Sequence, residues 1–175
     1  MKQVTVAGKA LAIIFAAVLV GGCASQETSE PAGPTPEEIA AQEAAAAAEA
    51  QAAADAEAAR MKALEDAVAA AGNVVYFDFD KSTLTPATRR VLDAHIALAK
   101  EGDGSVRLEG HADERGTREY NMALGERRAN AVADYMVVNG ISRMRIETVS
   151  YGEEQPAVAG SNEAAWAQNR RVEIK

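Results

Sequence analysis

At Gly72 the chain changes character, and that change limits where a core can form. The stretch from Glu37 to Ala71 is dominated by alanine, with Ile39, Met61, Leu64 and Val68 as its few large apolar residues. Such a segment has strong helix propensity but almost nothing with which to bury a face. From Asn73 onward, β-branched, aromatic and long aliphatic residues recur to the end of the chain. Only residues 73–175 can therefore build a hydrophobic interior, and about a hundred residues support one modest core.

Charge divides at the same point. Residues 24–72 carry ten acids against two bases and residues 73–175 sixteen against fourteen, so most of the net charge of −8 lies outside the globular part. A nearly balanced domain offers no broad basic field for nucleic acid. From Ala24 to Thr35 the chain is Ser, Thr, Glu, Pro and Gly, with Pro31 and Pro34 in it, a composition that suits an extended linker. Thr35, followed by Pro36, Glu37 and Glu38, reads as an N-cap with proline at N1 and acids in the first turn. If helical throughout, the stretch to Ala71 reaches about 50 Å; the same composition suits a partly disordered acidic tail. Both readings make it a tether.

Residues 1–22 carry Lys2 and Lys9, an uncharged apolar run from Ala10 to Val20, then Gly21 and Gly22. This is the charged start, apolar middle and small-residue cleavage site of a secretory signal, and the run is well short of the ~20 residues a spanning helix needs. Cys23, the one cysteine, follows directly, so no internal disulfide framework can form. Val20-Gly21-Gly22-Cys23 resembles a bacterial lipobox, in which the thiol is acylated and the cysteine becomes the mature N-terminus. Two or more acyl chains there give the stable anchoring that one does not. The bland alternative is a free thiol beside a signal cleavage site. In lipoproteins a residue other than Asp after the cysteine, here Ala24, goes with transfer to the outer membrane. The chain thus divides into a signal at 1–22, a lipidated tether at 23–72 and a domain at 73–175.

Within the domain, Asn73 to Asp80 is short and rich in β-branched and aromatic residues, as a strand is. Thr85 then caps a helix with Pro86 at N1, whose apolar residues Val91, Leu92, Ile96 and Leu98 recur near helical spacing up to Glu101 and Gly102. Ser105 to Glu109 alternates as a second strand. A loop from Gly110 to Gly116 leads to a longer helix, Arg118 to Asn139, stopped by Gly140. Arg145 to Ser150 suits a third strand, Asn162 to Gln168 a short helix, and Arg170 to Ile174 a closing strand. Strands and helices in this order predict an α/β (α+β) sandwich, a mixed sheet of about four strands packed against helices.

The helical period places Asn121 and Arg128 on the same stripe as Leu124, Ala131, Val132 and Tyr135. An arginine there either snorkels, is paired within the fold, or holds something. The candidate partner is Asp113, in the loop that leaves a strand end and enters this helix, a common place for a binding site. Asp113 can accept from a ligand ammonium while the planar fork of Arg128 holds a carboxylate; together they suit the zwitterionic end of an amino acid. Asp113 can equally cap the loop or the helix.

Gly110-His111-Ala112-Asp113, then Gly116, Asn121, Leu124, Arg127-Arg128-Ala129, Val132 and Tyr135, resembles the signature of the OmpA-like peptidoglycan-binding domain. The similarity covers nearly all of residues 73–175. Tyr76-Phe77-Asp78-Phe79-Asp80, Ser150-Tyr151-Gly152-Glu153-Glu154 and Asn169-Arg170-Arg171-Val172 bring it nearest the lipoprotein members of that family, as does the lipobox at Cys23. The resemblance implies a noncovalent hold on the diaminopimelate side chain of the peptidoglycan stem peptide. Asp113 and Arg128 match the two principal ligand residues, with Phe77, Asp78, Asn121 and one of Arg170 or Arg171 lining the pocket. It further implies an outer-membrane protein, attached through its N-terminal lipid and facing the periplasm, that binds TolB and the Tol complex and serves membrane integrity and inward pulling during division. A wall-anchoring lipoprotein outside the Tol system is the alternative. Arg118 departs from the pattern, standing where those members often carry proline.

An enzyme would have to use His111, Asp113 and Glu114 as metal ligands or as acid and base. Only His95 and His111 are available as histidines; His95 lies near the apolar side of the first domain helix, where packing is its ordinary role. No histidine pair at helical spacing with a glutamate forms a zinc site, and no Ser or Cys has a base nearby in sequence. No cofactor is implied. Arg127, Arg128, Arg170 and Arg171 lack the interleaved aromatics of a single-strand nucleic-acid surface.

Overall fold

In the computed structural model, residues 34–175 are described; the signal, Cys23 and most of the proline-containing linker lie outside them. Helix α1 runs from Pro36 to Ala71. Its start is a reciprocal cap: the Glu38 N–H donates to Thr35 Oγ1 at 3.3 Å, and the Thr35 N–H donates to Glu38 Oε2 at 2.7 Å. Of the two readings of the alanine-rich stretch, the helical one holds. Contacts divide the chain between Glu43 and Ala44, and within the second unit the end of α1 touches the domain. Met61, Leu64, Val68 and Ala71 are half-buried, Arg60 pairs with Glu101, and the His95 ring meets the Gly72 carbonyl at 2.9 Å. No helix among the described residues is long and apolar enough to cross a membrane.

The domain elements are β1 (Val74–Tyr76), α2 (Pro86–Ala99), β2 (Val106–His111), α3 (Arg118–Val138), a single 3₁₀ turn (Arg143–Arg145), β3 (Ile146–Gly152), α4 (Glu163–Asn169) and β4 (Arg171–Ile174). The mixed four-stranded sheet has the order β1-β4-β2-β3, with β2 and β3 parallel and the other pairs antiparallel. The expected α+β class and strand number hold. The first strand is shorter than the predicted Asn73–Asp80: beyond Tyr76 the chain turns, Lys81 N–H donating to the Asp78 carbonyl at 3.2 Å and Asp80 taking φ 55°. The second strand is longer, because Gly110 and His111 still pair with β3.

Helix α3 lies across β2 and β3 and α2 beside β1. Between helices and sheet sits a core that includes Val75, Leu92, Ile96, Leu108, Val132, Met136, Val172 and Ile174, each buried aliphatic contributing about 1.5–3 kcal/mol. Two glycines set how closely α3 approaches: a Cβ on Gly110 would stand 2.0 Å from the Gly125 carbonyl oxygen, and one on Gly125 2.4 Å from Ser150 Oγ. The alternate residues of the strands face away from α3 and carry a charge lattice. Arg107 pairs with Glu109 and Glu147, Arg171 with Glu173, and Lys175 with Glu109 and Glu173.

Candidate functional site

The loop after β2 carries Asp113 and the helix after that loop carries Arg128. Thr117 starts α3 by accepting the Tyr120 N–H at 3.2 Å, which fixes the loop's far end. Inside it, Asp113 Oδ1 accepts the Arg115 backbone N–H at 3.1 Å, so Asp113 does cap the loop, as one reading of the sequence held. The carboxylate does more. Only 4% exposed, it accepts from the Arg115 guanidinium at 3.2 and 2.6 Å and from Arg170 Nη1 at 3.3 Å.

Arg128 comes from the buried stripe of α3 and is fully enclosed. Backbone carbonyls, not the Asp113 carboxylate, hold its fork: Nε donates to Lys81 at 2.9 Å, Nη1 to His111 at 2.8 Å and Nη2 to Asp78 at 3.2 Å. The pairing of Arg128 with Asp113 expected from sequence is thus replaced by Arg115 and Arg170 on Asp113 and by carbonyls on Arg128. Three of the five guanidinium N–H groups are used. The Phe77 ring lies 5.4 Å from the guanidinium carbon.

Burial lowers the Arg128 pKa to about 10, with the Asp113 charge opposing that shift and Arg170 adding to it. Burial pushes the Asp113 carboxyl up, but the side chain and backbone N–H of Arg115, then Arg170, outweigh it and hold the carboxyl below its ordinary value. Both groups are charged at neutral pH. A buried guanidinium without its own carboxylate is costly to maintain and is a strong attractor for an anion.

Asp113 and Arg128 line one cleft of about 230 Å³ together with Phe79, Asp80, Arg115, Gly116, Tyr120 and Leu124. None of these six was predicted as a site residue from sequence. The Arg115 guanidinium lies 3.9 Å from the Phe79 ring centre and 4.2 Å from that of Trp166, a cation held between two aromatic faces. The Tyr120 hydroxyl donates to Asp80. Phe79 and Tyr120 are 54% and 44% exposed; the supposed strand from Asn73 to Asp80 concealed Phe79, and nothing in the helix pattern singled out Tyr120.

The other predicted residues stand around the cleft rather than in it. Phe77 is buried in the core, and its carbonyl accepts Arg170 Nε at 3.0 Å. Asp78 contributes its carbonyl, while its side chain pairs with Lys81. Asn121 is buried beside Gly116 and donates to Glu153. Arg170 bridges Asp113 and Glu163. Arg171, one step further along the chain, instead donates to Glu173 and to the Gln155 carbonyl. Arg118, the departure from the family pattern, pairs with Glu154. Among the described residues no group of three or more His, Cys, Asp or Glu is arranged to hold a metal ion.

The sequence model of the OmpA family matches residues 76–170. A peptidoglycan-associated lipoprotein of Pseudomonas putida is 53% identical over 111 residues, 63% of this chain and 67% of that protein. Its counterpart in Haemophilus influenzae is 52% identical over 101 residues, 57% of this chain and 66% of that protein. The chain therefore spans about two thirds of the length of these curated relatives. The crystal structure of the peptidoglycan-associated lipoprotein from Burkholderia pseudomallei matches with a TM-score of 0.58 and 40% identity, over 59% of this chain and 89% of that one.

Proposed function

We propose that this chain, which belongs to the OmpA family, is a peptidoglycan-binding envelope lipoprotein that holds the wall through the free end of a diaminopimelate side chain. One observation carries the reading: a buried carboxylate and a buried guanidinium line the same small cleft without being paired to each other. The free end of diaminopimelate has one ammonium and one carboxylate. Its carboxylate takes the N–H groups of Arg128 that the carbonyls leave over, and its ammonium takes Asp113. Four donors already reach Asp113, so the ammonium displaces part of Arg115, the more exposed of its two arginines. Each charge-assisted contact contributes on the order of 1.5–3 kcal/mol.

The names of the relatives, together with the lipobox at Cys23, support a lipid anchor in the outer membrane and a domain facing the periplasm. Helix α1 then serves as a spacer between lipid and domain, about 54 Å long by its rise. Partnership with TolB and the Tol complex, and a part in outer-membrane constriction at division, complete the proposal. Sedimentation of the protein with purified sacculi tests the wall contact: Asp113→Ala and Arg128→Ala stay in the supernatant while the parent pellets. Pull-down with TolB tests the partnership; no capture at all assigns the protein to wall anchoring outside the Tol system.

A further inference from the structure

His111 belongs to the cleft by its backbone and to the opposite face of the sheet by its ring. Its carbonyl accepts Arg128 Nη1 at 2.8 Å, at the point where the β2–β3 register slips: Gly110 stands opposite Ser150, but His111 stands opposite Gly152. Tyr151 is the residue left over, a β-bulge that re-aims the chain. Its ring stacks on that of His111, centroids 5.5 Å apart and planes 28° off parallel. The imidazole is 1% exposed, and neither ring nitrogen has a hydrogen-bond partner among the described residues. Packing on Tyr151, rather than hydrogen bonding, therefore holds the ring in place.

We propose that His111 is a positioning residue for the cleft: its neutral ring, stacked on the bulged Tyr151, locks the strand end where the His111 carbonyl aims the Arg128 guanidinium, and protonation of the ring loosens that hold. The inference rests on the reading of Arg128 as the group that binds the ligand carboxylate.

The charges around the ring explain the release. Arg171, Glu173 and Lys175 approach from β4, Glu109 and Arg107 from β2, and the Tyr151 hydroxyl, bonded to Arg107 at 3.2 Å, from β3. Arg128 of α3 meets the residue only at its carbonyl. Burial, then Arg171, lowers the His111 pKa to about 4, with Glu173 and Glu109 opposing. Glu173 Oε1 lies 3.9 Å from Nε2, beyond hydrogen-bond reach, and is occupied by Arg171, while Lys175 holds Oε2. A protonated ring is drawn toward that carboxylate, off Tyr151, and carries the His111 carbonyl with it.

The full chain, purified in detergent, is titrated calorimetrically with a soluble diaminopimelate-terminated tripeptide between pH 7 and pH 4, beside His111→Gln and Asp113→Ala. The parent is expected to lose about half its affinity between pH 6 and pH 4, the most that a ring half-protonated at about pH 4 can remove, while His111→Gln, which cannot titrate, keeps its own neutral value. Should that variant fail to fold, nitrogen-15 NMR of the parent decides: the Arg128 Nε–H resonance shifts with the midpoint of the His111 ring. Parallel profiles for parent and His111→Gln, or an Arg128 resonance that stays still while His111 titrates, overturn the inference. If at the same time Asp113→Ala has lost binding, only this inference falls; if Asp113→Ala binds like the parent at pH 7, the cleft reading falls and takes it along.

Discussion

Nη2 of Arg115 stands 2.6 Å from Oδ2 of Asp113 while Nε stands 3.2 Å from Oδ1, so that one guanidinium covers both oxygens of the cleft carboxylate. The fork is itself stacked between Phe79 and Trp166. Arg115 thereby keeps a buried carboxylate charged and ready while no ligand is present.

That arrangement fixes an acid limit. Because the Asp113 carboxyl titrates below its ordinary value in the folded protein, its contribution to stability is present above the unfolded pKa and is lost as pH falls through the folded one. In Arg115→Ala the largest opposing contact is gone, so the folded carboxyl titrates higher and its contribution is diminished already at neutral pH. Urea unfolding between pH 3 and pH 6 should show the variant about 1–2 kcal/mol less stable than the parent near pH 6, with the difference narrowing as pH falls.

His111 makes a second contribution of the same sign, at higher pH. Its folded pKa, about 4, lies below the ordinary histidine value of 6.5. Between those two values the unfolded chain binds more protons than the native one, so stability falls as pH drops from about 6.5 toward 4. The expected loss is about 2–3 kcal/mol, and it should be absent from His111→Gln measured over the same window.

Gly110 and Gly125 test the close seating of α3 on the sheet. A methyl group at either position meets backbone or a half-buried hydroxyl at under 3.0 Å, so the helix must lift. Gly110→Ala should cost about 2–4 kcal/mol in denaturant unfolding and weaken ligand binding in the molecules that still fold, since Arg128 rides on the same helix. A variant as stable as the parent would show that α3 adjusts freely.

Much of this was legible before the fold was known. Thr85 before Pro86, Gly140 after the last turn of α3 and the alternation around Leu108 marked the elements within a few residues, because caps, stops and periodicity are local. Arg128 stood out because a charge on an apolar stripe needs a reason. Its partners did not show: Lys81, His111 and Asp78 contribute carbonyls, which every residue has and no sequence displays. Phe79 and Asp80 were hidden by an apparent strand that ends early, where Asp80 takes a left-handed conformation. Arg170 and Arg171 were indistinguishable as a pair in sequence, but only Arg170 contacts Asp113, while Arg171 joins the charge lattice on the far face.

The central claim is that Asp113 and Arg128 together read a zwitterion, and one calorimetric comparison addresses it most directly. The full chain is titrated with a stem tripeptide ending in diaminopimelate and with the same peptide ending in lysine, which keeps the ammonium and lacks the side-chain carboxylate. The account predicts that the lysine peptide binds about ten- to a hundredfold more weakly, the worth of one charge-assisted contact to Arg128. Equal affinities for the two peptides would contradict it.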